Sequence, residues 1–97
     1  MSAAIPDASK LTPICRKYGV KSLAVFGSYA RNEAGPNSDL DLLVSFAVRI
    51  GLLRMVALER ELSELVGRKV DLQTEAALSP YIRDQILKER QIIYAAS

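Results

Sequence analysis

Two stretches, Phe26-Gly27-Ser28-Tyr29-Ala30-Arg31 and Ser38-Asp39-Leu40-Asp41-Leu42-Leu43-Val44, decide how this chain is expected to fold. Leu23 to Phe26 is a short apolar run closed by Gly27, the pattern of a buried strand. Residues 28–38 are rich in Gly, Pro, Asn and Ser, with room for one helical turn at 29–33 and a turn at Pro36-Asn37. Leu40 to Phe46 then reads as a second strand.

Upstream, Leu11, Ile14, Cys15 and Tyr18 fall at i, i+3, i+4 and i+7, which predicts a helix over 9–18 with Pro13 in its first turn and Gly19 as its stop. Downstream, Met55, Leu58, Leu62, Leu65 and Val66 form the apolar stripe of a helix over 52–66 that ends at Gly67. The charges Arg60, Glu61, Glu64, Arg68 and Lys69 read as its solvated face, with Arg60/Glu64 and Glu64/Arg68 as i,i+4 pairs. Val70 to Gln73 is a third short strand. Ser79 caps, and Pro80 opens, a last helix reaching about Arg90 with Ile82, Ile86 and Leu87 inward. Gln91 to Tyr94 is either a terminal strand or the fraying end of that helix, and Tyr81 and Tyr94 read as packing residues. With no repeat or linker, the expected fold class is α/β (α+β), a single domain over 1–97 with its core at about 10–95.

Composition narrows the chemistry. The 97 residues carry 13 Lys+Arg against 11 Asp+Glu, a net charge of +2 that argues against nucleic-acid binding driven by bulk electrostatics. There is no histidine, which excludes an imidazole base, a His metal ligand and a Ser-His-Asp triad. The single Cys15 has no disulfide or zinc partner in the chain and reads as a small buried hydrophobe in a reducing compartment. Residues 1–10 lack a secretory pattern, and the apolar-rich run Leu42 to Val48 is far short of the ~20 residues of a spanning helix. A soluble cytoplasmic protein without a membrane segment is expected.

The chemistry-bearing pattern is Gly27-Ser28 followed, after ten residues, by Asp39-Leu40-Asp41. Strand alternation puts Asp39 and Asp41 on one face and Leu40 and Leu42 on the other. Two ionised carboxylates this close repel unless a cation lies between them, and hard oxygen donors suit Mg²⁺. Asp71, between Val70 and Leu72, can reach the same face, giving three carboxylates for metal-assisted displacement at phosphorus. Gly27 lets backbone approach a phosphate closely, and Ser28 and the following N–H groups can donate to its oxygens. A lone Asp-x-Asp is a weak signal that glycosyltransferases also carry. Leu43 does not suit the haloacid-dehalogenase pattern, and no Gly-Lys-Ser/Thr of a nucleotide P-loop is present.

Together with Val70-Asp71-Leu72 and the tail Leu78-Ser79-Pro80-Tyr81-Ile82-Arg83, these stretches resemble the polymerase-β-like nucleotidyltransferase superfamily, and within it the minimal nucleotidyltransferase (MNT) branch. The resemblance covers roughly residues 10 to 95. It implies a small palm-like domain, a short mixed sheet flanked by helices, acting as the antitoxin partner of a HEPN-family ribonuclease toxin. It further implies transfer of AMP from ATP to a hydroxyl of that toxin, a tyrosine, with Mg²⁺ as cofactor. Carried over, Asp39, Asp41 and Asp71 would be catalytic metal ligands, with Asp71 also helping to deprotonate the attacking hydroxyl. Gly27 and Ser28 would hold the β/γ-phosphates. Arg31 could contact the triphosphate or merely pair with Glu33 or Asp41, Ser38 could brace Asp39 or cap a turn, and Tyr29 could lie under the base or in the core. Asn32 stands where many relatives have Gly. Relatives acting on tRNA ends or antibiotics carry an added helical domain, so a protein acceptor is expected here. The competing expectations are an antitoxin that neutralises by occlusion without turnover, and a transferase acting on a small molecule or RNA end.

Overall fold

Alternation along one strand divides the protein into two packed faces. The computed structural model describes residues 8–27 and 39–96, and the absences stated below refer to these residues. Its elements are α1 (Ala8–Tyr18), β1 (Val20–Phe26), β2 (Leu40–Phe46), α2 (Leu52–Val66), β3 (Val70–Thr74), α3 (Pro80–Glu89) and β4 (Gln91–Ala95). Leu40, Leu42 and Val44 of β2 join Leu23 and Val25 of β1 and Val70 and Leu72 of β3 against α1 and α2, where Leu11, Cys15, Leu58 and Leu62 are at most 1% exposed. Each such leucine contributes about 1.5–3 kcal/mol by leaving water. On the opposite face, Ala24, Phe26 and Leu43 meet Leu78 and Ile86 of α3 in a smaller cluster.

The sheet is mixed, in the order β3-β2-β1-β4: β1 runs antiparallel to β2 and β4, and β2 runs parallel to β3. Gln91–Ala95 is therefore a strand, the choice the residues alone left open. β1 starts three residues before the apolar run, because Gly19 turns at φ +70° and sets Val20 opposite Phe46. Edge strand β3 is blunted by α2: the Val70 N–H donates to Ser63 Oγ and the Leu72 N–H to Glu59 Oε2, both at 3.0 Å.

Four expectations need correction, and the first is Ile82, read as inward on α3 but 46% exposed, because the inner face of that helix is carried by the buried Ile86 with Leu87 packed beside it. Pro13 lies beyond the first turn, because α1 already begins at Ala8; its ring removes only the bond to the Ser9 carbonyl, and both residues are exposed, so water can satisfy that oxygen. Tyr94 is buried as expected, but Tyr81 is 94% exposed, projecting from the opening turn of α3. Arg60, Glu64 and Lys69 are solvated, but Glu61 is half-buried and reaches across to α1, so the charged face is not uniform. Its carboxylate accepts from Lys17 Nζ at 2.8 Å and from the Tyr18 hydroxyl, while the Arg54 guanidinium covers the Tyr18 ring 4.9 Å from its centroid.

Hydrogen bonds from Lys17 and then Tyr18 hold the Glu61 carboxyl below its ordinary value of 4.5. Its contribution to stability is thus complete above that pH and is lost as pH falls through the lowered value. Glu61→Gln is expected to flatten the fall in urea midpoint between about pH 5 and 3 relative to the parent; an unchanged slope would contradict this role. Burial pushes the Cys15 thiol up to about 11, so it stays protonated and inert at neutral pH. No described helix is long and apolar enough to cross a membrane.

Candidate active site

The site grows from the end of β1. Phe26 is the register partner of Asp41, so the chain leaves β1 directly beside that carboxylate. The next residue, Gly27, turns at φ +73°, a region that side-chain-bearing residues rarely adopt. A Cβ built on it would lie 2.5 Å from Asp41 Oδ2, so the space a side chain would occupy is filled by the carboxylate. Glycine is required here on two independent grounds, and the chain at the end of β1 is held close to Asp41.

Asp71 stands opposite Asp41 in the parallel β2–β3 ladder. Residues paired in register on neighbouring strands share a face, and both carboxylates border one cavity of about 230 Å³ on the α3 side of the sheet. Two residues along β3, the Gln73 amide donates from Nε2 to Asp71 Oδ1 at 3.0 Å. Gln73 was not singled out by its sequence context; its signal was the same period-two spacing from Asp71 that links Asp39 to Asp41. Asp39 lies exposed one residue before β2, where the Leu40 N–H is anchored to the Lys69 carbonyl at 2.9 Å.

The donor chemistry fits a hard divalent cation: every candidate ligand is a carboxylate oxygen, with no sulfur or imidazole nearby to favour a softer metal. Among the described residues no group of three or more Asp, Glu, His or Cys side chains is drawn close enough to form a metal cage. The geometry instead pairs Asp41 with Asp71 in register and leaves Asp39 at the mouth of β2, consistent with the mutual repulsion of ionised carboxylates. Ser28, Tyr29, Arg31, Asn32 and Ser38, with the turn expected at 29–33, lie outside the described residues.

Comparison with known proteins follows the same lines. A family model described as a nucleotidyltransferase domain matches residues 9–93. The chain is 46% identical over 80 residues to MJ0435 of Methanocaldococcus jannaschii, a candidate protein adenylyltransferase, covering 82% of this chain and 86% of that one. It is similar to a solved structure described as a minimal nucleotidyltransferase, with 39% identity, a TM-score of 0.75 and coverage of 87% and 86%. It also shares its fold with a chain in a complex of tri-AMPylated Shewanella oneidensis HEPN toxin and MNT antitoxin, at 19% identity, a TM-score of 0.66 and coverage of 92% and 70%.

Proposed function

The chain belongs to the nucleotidyltransferase domain family, and from that premise we propose that it is an antitoxin adenylyltransferase that moves AMP from ATP to a tyrosine hydroxyl of a HEPN toxin. The observation that carries the proposal is the pairing of Asp41 with Asp71 beside the Gly27 turn, which sets an acidic edge against a backbone stripped of its side chain. This is the arrangement needed to bring a polyphosphate and a hydroxyl nucleophile together. Similarity to candidate protein adenylyltransferases supports a protein acceptor, and the fold shared with an MNT–HEPN complex supports the partner.

In this reading the paired Asp41 and Asp71, joined by Asp39 from the mouth of β2, would hold Mg²⁺, which would neutralise charge on the phosphates. The chain's own residues position the reactants. Gly27, Ser28, Arg31 and Ser38 are the proposed nucleotide-binding residues, with N–H and O–H donors for phosphate oxygens, while the space beside the Gly27 Cα is taken by the Asp41 carboxylate. Asp71 accepts the proton of the attacking hydroxyl, a task no histidine is present to take. Gln73 holds Asp71 by one oxygen and leaves the other for the substrate. The whole chain acts as one domain in a cytoplasmic setting that supplies ATP.

Cells expressing the toxin separate this reading from neutralisation by occlusion. The parent protein should protect them, and Asp39→Asn/Asp41→Asn should lose protection while still co-purifying with the toxin. Full protection by the double variant would favour occlusion instead.

A further inference from the structure

Four apolar side chains that the fold leaves uncovered stand together where β2 passes into α2. Val48, Leu52, Leu53 and Val56 are 56%, 77%, 86% and 46% exposed. Leu52 and Val56 are one turn apart on α2. Val48 lies against Gly19 at the end of α1, where an added Cβ would meet its Cγ2 at 2.6 Å. The Arg54 guanidinium reaches the same end of α1 and donates to the Lys17 carbonyl at 3.0 Å. These residues therefore form one continuous patch of the kind that marks an interaction site. We propose that the HEPN toxin docks on this patch through an apolar face rimmed by carboxylates, a docking surface that rests on the antitoxin reading above.

Charge selects the occupant. The first turn of α2 holds no acidic residue, and its N-cap, Gly51, supplies no side-chain hydrogen bond. The positive end of the helix dipole is therefore left unanswered. Arg54 adds a cation there, and Arg49, exposed next to Val48, adds another that makes no ion pair among the described residues. A partner face rimmed by carboxylates answers all three. A second copy of this chain does not, because an isologous contact sets the patch against itself and brings these charges onto their own duplicates. A lipid surface fits no better. An interfacial helix is apolar along its length, whereas the exposed side of α2 turns to Arg60 and Glu64 after Val56. The patch also lies beyond the end of β2 while Asp41 lies near its start, so the seven-residue strand separates them by roughly 20 Å. A toxin held here is anchored away from the carboxylate edge, and docking can be altered separately from chemistry.

Leu53→Glu tests the surface with little risk to the fold, since Leu53 is exposed and a carboxylate in the first turn suits the helix dipole. It should raise the toxin Kd, and the toxin KM in label transfer from ATP, by about tenfold or more. Its kcat and its AMP-PNP affinity should stay within about twofold of the parent. Arg49→Gln should weaken toxin binding about threefold and make it less sensitive to salt. Both variants should melt within about 3 °C of the parent. Toxin binding by Leu53→Glu that matches the parent overturns the docking surface. So does a parent dimer, or parent binding to phosphatidylserine vesicles, that Leu53→Glu abolishes. Parent binding to the toxin that ignores salt overturns the carboxylate rim. A parent protein that binds AMP-PNP with Mg²⁺ but no toxin overturns the antitoxin reading itself, and the docking surface with it.

Discussion

Asp41→Asn protein is expected to fold normally and to lose AMP transfer by on the order of 10²–10³-fold or more. The substitution keeps the shape of the side chain, removes its charge and turns one acceptor oxygen into an NH₂ donor. Asp41 is half-buried, on the sheet face away from the larger core, and faces Asp71 across the ladder, so losing one of two neighbouring negative charges does not weaken packing. A Tm within about 3 °C of the parent is expected, as for other substitutions that leave packing intact. The proposed chemistry is hit harder, because an amide offers one neutral acceptor where the proposed Mg²⁺ site would need an anionic oxygen. Circular dichroism melting and label transfer from ATP read the two effects separately. Near-parental transfer would remove Asp41 from the catalytic set.

Gly27→Ala is expected to damage both stability and activity. The backbone at φ +73° costs a side-chain-bearing residue about 1–2 kcal/mol, and the added methyl meets Asp41 Oδ2 at 2.5 Å, so something must shift. A loss of about 2 kcal/mol corresponds to a fall in Tm of roughly 8–16 °C for a domain of this size. The atom that must yield is the carboxylate that the proposed reaction needs in place, and a displacement of that order lowers transfer by up to about 10²-fold. A variant melting and transferring like the parent would show that Gly27 is neither strained nor close to Asp41 in solution.

Much of this was legible in the residues because period-two and period-3.6 patterns are dense here. Asp39-Leu40-Asp41 announced a strand with an acidic face, and Leu58 and Leu62 announced the buried stripe of α2; both leucines are fully buried. Gly27 was legible as a turn, but its closeness to Asp41 was not, since it depends on the Phe26–Asp41 register. Long-range polar contacts escaped for the same reason. Glu61 looked like one charge among several on α2, and only the docking of α1 turns it onto Lys17 and Tyr18. Glu59 and Ser63 looked like ordinary surface polar residues, yet they satisfy the open edge of β3. Tyr81 was misjudged because an aromatic residue just inside a helix start carries no signal of which way the helix will present it.

The central claim, that this protein places AMP on a hydroxyl of its toxin partner, is tested most directly by the intact mass of that toxin after incubation with the parent protein, ATP and Mg²⁺. The account predicts that the toxin gains the mass of one or more AMP groups with matching release of pyrophosphate, and that tandem fragmentation places them on tyrosine. An unmodified toxin, in a mixture where the protein demonstrably binds ATP and the toxin, would contradict it.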